Sequence, residues 1–239
     1  MQEIRAISLD LDDTLWPIEP VILRAEQRLD AWMKKNCPAV AAQFPIAQMR
    51  ALRERISAEH PHLSHDFTAQ RMLSLRAAFS PHGYGDAHVE EAFDEYFAAR
   101  NEVECYPDAL PALERLAARF PLVSISNGNA DLQRIGIAHL FKHSISARAA
   151  GVAKPSVEIF HAACARLGLP PAAVLHVGDD PQLDVAGARA AGMRSVWLNR
   201  TQALWPEMPP ADLIVRSLDQ LADVFDALAV NHADSGALA

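Results

Sequence analysis

The sequence predicts an α/β protein: an open, doubly wound parallel sheet interrupted after its first strand by an all-helical block. Three observations carry this. Ile4-Arg5-Ala6-Ile7-Ser8-Leu9 is a short, mostly apolar run that stops abruptly at Asp10-Leu11-Asp12-Asp13-Thr14, as a buried strand does at a polar sheet edge. From Pro17 to about Arg100 the apolar residues recur at helical spacing and no run reads as a strand. After Pro107 apolar runs and helical stripes alternate, which implies parallel strands joined by right-handed helical crossovers.

Within the helical block, Ile22, Ala25, Leu29, Trp32 and Met33 mark one helix, and Val89, Phe93, Tyr96 and Phe97 mark another. Two more are expected from Ile46 to Glu59 and from Thr68 to Phe79, separated by Pro61 and followed by Pro81 and Gly83. Past Pro107, a helix carrying Leu110, Leu113, Leu116 and Ala117 leads into the strand Leu122 to Ser126. A weak strand at 143–147, a helix from Pro155 to Leu167, a strong strand from Ala173 to Val177, a helix from Gln182 to Ala191 and a strand from Ser195 to Leu198 follow. Leu213-Ile214-Val215 and a helix around Leu221, Val224, Phe225 and Leu228 close the series. The expected organisation is a core at 1–16 and 104–230, a helical insertion at 17–103 and a frayed, small and polar tail at 231–239.

Half of the 239 residues are hydrophobic, enough to bury a full core with an accessory domain. No apolar run approaches the roughly 18 residues that cross a bilayer, and Met1 to Leu11 lacks the pattern of a signal peptide. A cytoplasmic protein with no membrane partner is therefore expected. The formal charge of −8 argues against a nucleic-acid partner, which needs a basic face. A small anionic substrate stays compatible, because a few local cations and a metal reverse the sign inside a pocket. Cys37, Cys105 and Cys164 are odd in number, far apart and without metal-ligand spacing, so they read as reduced and structural.

In open α/β sheets ligands bind beyond the carboxyl ends of the strands, so the polar residues that follow each apolar run should converge. They are Asp10, Asp12 and Thr14; Ser126, Asn127 and Gly128; Lys154, placed at a helix start; and Gly178-Asp179-Asp180 with Asp184 one turn on. Asp-x-Asp-x-Thr alone serves equally well as a solvated turn or helix cap. Four carboxylates, Asp10, Asp12, Asp179 and Asp184, at one sheet edge cannot all stay ionised unaided, and a hard cation such as Mg2+ relieves that crowding. Even Mg2+ and Lys154 leave such a site negative once a phosphate is bound, so one carboxyl must be protonated, as a general acid requires. For a phosphate ester, Asp10 would attack phosphorus and Asp12 would protonate the leaving alkoxide, then activate the water that hydrolyses the aspartyl-phosphate. Alternate strand residues face opposite ways, so this requires a sharp turn just past the strand. Ser126 and the amides of Asn127 and Gly128, at the start of a helix through Leu132, would hold phosphate oxygens. Lys154 would neutralise the transition state, with Pro155 in the first helical turn behind it.

These segments, Asp10-Leu11-Asp12-Asp13-Thr14, Ser126, Lys154-Pro155 and Gly178-Asp179-Asp180 with Asp184, resemble in order and context the four motifs of the haloacid dehalogenase superfamily. The resemblance implies a Rossmann-like core, an aspartate nucleophile at Asp10, an acid/base at Asp12 whose backbone carbonyl also binds Mg2+, and a metal site completed by the last acidic pair. It also implies that the helical insertion is a cap that excludes water and selects the substrate. Pro20-Val21-Ile22-Leu23-Arg24, His65-Asp66 ahead of Arg71, Ile125-Ser126-Asn127-Gly128-Asn129 and Leu175-His176-Val177-Gly178-Asp179-Asp180 carry a narrower resemblance. It is to bacterial phosphatases of flavin mononucleotide and 5-amino-6-(5-phospho-D-ribitylamino)uracil, implying a small phosphorylated metabolite as partner and a place in riboflavin metabolism.

Other residues admit plainer readings. His60-Pro61-His62-Leu63-Ser64-His65 is a poor zinc site, because Pro61 breaks the helix that would align the rings. His65, Asp66 and Arg71 either face substrate or form a capping turn before Phe67; Arg24 reads as a surface residue; Trp16 is either a wall for an aromatic substrate or hinge packing. Asp13 and Asp180 read as supporting residues. Three alternatives stand beside the phosphatase: a haloacid dehalogenase of the same fold, which displaces halide with its aspartate but has no use for a proton donor at Asp12 or for Asp179 and Asp184 as metal ligands; a retired, non-catalytic core; and a phosphotransferase with a sugar acceptor.

Overall fold

The computed structural model describes residues 4–236, with side chains through residue 228. Six strands, β1 (Ala6–Leu9), β2 (Leu122–Ser126), β3 (His143–Ser146), β4 (Val174–Gly178), β5 (Arg194–Leu198) and β6 (Leu213–Val215), pair in parallel in the order β3-β2-β1-β4-β5-β6. Strand alternation sends Ile7, Leu9, Leu122, Leu175 and Val177 to one face, beneath α6 (Ala109–Ala117) and α11 (Leu218–Gly236). Ala6, Val123, Ile125 and Val174 go to the other, beneath α9 (Val157–Leu167) and α10 (Gly187–Ala190). Because both faces are covered, the strands read as continuous apolar runs. The strand order reverses between β1 and β4, and that switch point opens the crevice in which Asp10 and Asp179 stand.

Between β1 and β2 lie α1 (Ile18–Asn36), α2 (Pro38–Gln43), α3 (Ile46–Glu59), α4 (Phe67–Phe79) and α5 (Asp86–Arg100). They close around their own cluster, including Leu29, Met33, Leu52, Leu75, Phe79, Val89 and Tyr96. The sequence reading missed α2, six residues opened by a proline at its first position and too short to show a period.

Three local expectations are corrected. The helix expected from Pro155 begins at Val157, because the Asn127 side chain clamps the Lys154 backbone: Lys154 N–H donates to Asn127 Oδ1 at 2.7 Å and Asn127 Nδ2 donates to Lys154 O at 3.0 Å. The helix expected to start at Asn127 is only α7 (Leu132–Ile135), capped by Asp131, so residues 127–130 form a loop and gain nothing from a helix dipole. The helix expected over 182–191 splits into a π turn, Pro181–Ala186, followed by α10. After α8 (Ala147–Ala150) and α9 the chain otherwise follows the expected alternation. At the C-terminal end, α11 runs on to Gly236, so 231–236 extends a helix anchored by Leu218, Leu221 and Phe225 rather than forming a tail. Residues 237–239 lie outside the described residues.

Candidate active site

Asp10 continues the β1 ladder, its N–H donating to Val177 O at 2.9 Å, which fixes its buried carboxylate above the sheet edge. Carboxylate oxygens of Asp10, Asp179 and Asp184 lie within 4.8 Å of one another. Lys154 Nζ donates to Asp10 Oδ1 and, at 2.7 Å, to Asp184 Oδ1. Thr14 Oγ1 donates to Asp179 Oδ1 at 3.0 Å. The π turn sets Asp184: Asp180 O accepts from both Asp184 N–H and Val185 N–H, and the Asp180 N–H returns a bond to Asp184 Oδ2 at 3.0 Å. Gly178 leaves the room this needs, since a Cβ there would stand 2.2 Å from Asp184 Cγ.

Crowding of charge out of water decides the titration of this group. Burial pushes the Asp10 carboxyl well above the usual carboxylate range, with Lys154 opposing and Asp184 and Asp179 adding to the rise. Asp179 is raised to about 7, by burial and then by Asp184. Burial acts to raise Asp184 too, but Lys154 and His176 outweigh it and hold that carboxyl below the ordinary range. Burial acts to lower Lys154, yet the Asp10 and Asp184 carboxylates raise the ammonium above its usual value. The donors are all hard oxygens, buried or half-buried and close enough to share one ion, so the set fits a divalent cation of the magnesium kind.

The Asp12 carboxylate stands apart from these three, so the crowding expected of four carboxylates is a crowding of three. A turn through Asp13, at φ 59°, supplies the bend that the sequence required, and it carries the Asp12 carboxylate to the rim of the same cavity. There it accepts Arg100 Nη2 at 2.7 Å on both oxygens and Trp16 Nε1 at 2.8 Å on one. Trp16 is wholly buried and serves Asp12 rather than walling the substrate. Asp13 accepts the Ile18 N–H at 3.0 Å and Asp180 caps the π turn, both as supporting residues. Ser126 Oγ accepts the Gly128 N–H at 2.9 Å, and a Cβ on Gly128 would meet Asp12 Oδ2 at 2.5 Å.

The cavity above these groups holds about 500 Å³ and is roofed by the helices, through Ile22, Phe67, Arg71, Tyr96 and Arg100. Of the residues in the helical block singled out by sequence, Arg71 lines it. Asp66 instead caps α4 through the Ala69 N–H at 2.9 Å, and His65 opens on a neighbouring cavity. Arg24 donates to the Glu102 carbonyl.

A family model for haloacid dehalogenase-like hydrolases matches residues 4–192. The chain belongs to that family. It is 32% identical over 199 residues to the 5-amino-6-(5-phospho-D-ribitylamino)uracil phosphatase YigB of Escherichia coli, covering 82% of this chain and 83% of that one. It is 35% identical to a phosphoserine phosphatase of Thermus thermophilus over 65% of this chain and 64% of the other. A solved 2-haloacid dehalogenase of Pseudomonas syringae superposes with a TM-score of 0.88 at 34% identity, over 94% of this chain and 99% of that one. Relatives of this hydrolase thus carry two kinds of name, phosphatase and dehalogenase.

Two residues of the site escaped the sequence reading. His176, buried in β4, places Nε2 3.1 Å from Asp184 Oδ1 and Nδ1 2.8 Å from Ser8 Oγ. Its signal was a polar residue inside an apolar strand. Arg100 gave no such sign, because the last charged residue of an amphipathic helix is ordinarily solvated.

Proposed function

We propose that this hydrolase is a magnesium-dependent phosphatase of small phosphate monoesters acting through an aspartyl-phosphate on Asp10. The observation that carries the reading is the division of the acidic residues: Asp10, Asp179 and Asp184 share one cluster with Lys154, while Asp12 is held separately at the cavity rim by Arg100 and Trp16. A dehalogenase would use Asp10 as its nucleophile but would need neither Asp179 and Asp184 as metal ligands nor a proton donor at Asp12. An Asp10 oxygen bonds to phosphorus as the ester P–O bond breaks, and Asp12 gives the leaving oxygen its proton. Water then attacks the aspartyl-phosphate, Asp12 takes the water's proton, and inorganic phosphate leaves. Lys154, Ser126 and the Asn127 amide hold the phosphoryl oxygens, while the Gly128 N–H orients the Ser126 hydroxyl and Thr14 orients Asp179. Asn127 contributes by its side chain as well, fixing Lys154.

Magnesium would be held by Asp10, Asp179 and Asp184, and by the backbone carbonyl of Asp12 as the family resemblance implies. When bound it neutralises charge on the phosphoryl oxygens. In this reading residues 17–103 act as a cap on a core of 1–16 and 104–230, closing the cavity against water.

The test is hydrolysis of para-nitrophenyl phosphate. Turnover is expected with magnesium, none after chelation, and none in Asp10→Asn. Turnover that survives EDTA would sink the magnesium-dependent mechanism, and metal-free halide release from a 2-haloacid, without phosphate release, would replace this reading with the dehalogenase. The E. coli relative makes 5-amino-6-(5-phospho-D-ribitylamino)uracil the first metabolite to assay, with flavin mononucleotide beside it. A flat profile of specificity constants across phosphorylated metabolites would remove the riboflavin-pathway assignment.

A further inference from the structure

Arg71 is buried to 5% exposure in α4, yet among the described residues no carboxylate stands within ion-pair distance of it. Its guanidinium carbon lies 3.8 Å from the centroid of the Tyr96 ring, so one flat face is covered and the N–H edge is left for hydrogen bonding. The nearby acid, Glu26, pairs with other arginines: Arg50 Nη2 reaches its Oε2 at 2.5 Å, and Arg53 Nη1 stands 3.5 Å from its Oε1, which has no hydrogen-bond partner. Two guanidinium groups already share that one carboxylate, and Arg71 is a third cation beside them with no carboxylate of its own. A buried cation without a counter-group is costly unless something else supplies hydrogen-bond acceptors. Arg71, Arg53 and Tyr96 all line the cavity whose floor is Asp10, and about 500 Å³ is far more than a phosphoryl group fills.

We propose that Arg71, stacked on Tyr96 and flanked by Arg53, is the specificity-determining residue of the cap, and that it binds acceptor oxygens on the substrate's end remote from the phosphate. This rests on the phosphatase reading above and adds the leaving group's chemistry to it. The phosphate sits at the Asp10 and Lys154 pole, the acceptor oxygens meet the Arg71 edge, and Ile22, Phe67 and Leu183 supply apolar wall between the poles. Those oxygens have two sources, a carboxylate or the carbonyls of a planar ring. A monoester with neither leaves Arg71 unanswered.

The test compares wild type with Arg71→Met and Arg71→Lys on three monoesters in magnesium: phosphoglycolate for the carboxylate, flavin mononucleotide for the ring carbonyls, and phenyl phosphate for neither. The ratio of kcat/KM for an acceptor-bearing ester to that for phenyl phosphate is expected to fall roughly tenfold or more in Arg71→Met, through KM rather than kcat. A fall confined to phosphoglycolate, with partial rescue by Arg71→Lys, identifies a carboxylate. A fall confined to flavin mononucleotide, without rescue, identifies ring carbonyls, since lysine keeps the charge but not the planar edge. Equal losses on all three esters, or unchanged ratios, overturn the proposal. Calorimetric binding of phosphoglycolate and of flavin mononucleotide to Asp10→Asn, with and without Arg71→Met, reads the same contrast without turnover. Absence of wild-type phosphatase activity thus sinks the catalytic reading alone, while binding indifferent to Arg71 sinks this one.

Discussion

Asp12 is gripped from two sides: by Arg100, the last residue of α5, and by Trp16, four positions along its own loop. Arg100 is 2% exposed and its Nη1 has no hydrogen-bond partner, so nothing else in the fold accounts for its burial. It is a positioning residue for the proposed acid. In Arg100→Gln the Trp16 bond remains but the two-oxygen clamp is lost, and kcat is expected to fall roughly 10- to 100-fold. The loss should be greater for an alkyl phosphate than for para-nitrophenyl phosphate, whose leaving group needs little protonation. Equal losses on both would show that Arg100 does not act through Asp12.

At the scale of elements, the π turn Pro181–Ala186 does what an ordinary helical turn would not. It swings Asp184 beneath Gly178 so that one carboxylate meets Lys154, His176 and the Asp180 amide together. Gly178 is the other half of the device, and Gly178→Ala would drive a methyl into the Asp184 side chain, 2.2–2.6 Å away. Destabilisation of about 1–3 kcal/mol is expected from overpacking, and the rise in Tm expected from magnesium in the wild type should be lost. Thermal melts with and without the metal check both outcomes. Asp180 caps the same turn, accepting from the Gln182 N–H at 2.7 Å and the Leu183 N–H at 2.8 Å. Removing that cap in Asp180→Ala is expected to cost about 1 kcal/mol, measurable as a lower urea midpoint.

Across the whole molecule, the loop after β1 is tied to the loop after β5 by Arg200. Its guanidinium donates to Thr14 O at 2.9 Å and to both oxygens of Asp108 at 2.9 and 3.1 Å, and lies 4.0 Å from the centroid of the Tyr106 ring. Asp108 also accepts the Leu218 N–H at 2.7 Å, so one carboxylate joins the starts of α6 and α11 to the loop after β5. Burial acts to raise the Asp108 carboxyl, but Arg200 and the Leu218 amide outweigh it and the net shift is downward. A carboxyl depressed by folding adds stability above its unfolded value, near 3.9, and loses it as pH falls through the folded value. Asp108→Asn should therefore lower the urea midpoint at pH 7, and the gap from wild type should close as pH drops below about 4. A gap that does not change with pH would show that the carboxylate's charge contributes nothing.

The sequence by itself determined the alternating α/β pattern, the helical insertion, and the residues that end the strands. Asp10, Ser126 and Asp179 were legible because each follows an apolar run, and parallel strands buried on both faces must release their polar residues at one edge. Lys154 and Asp184 were legible as residues but not in their local structure. Periodicity cannot show that Asn127 clamps the backbone at 154, nor that the turn at 181–186 is wide. The pairing of Asp12 with Arg100, 88 positions apart, and the stacking of Arg71 on Tyr96 were decided only in three dimensions. Both join residues distant in sequence, whose proximity depends on how five helices close over a sheet edge, and no local pattern encodes that.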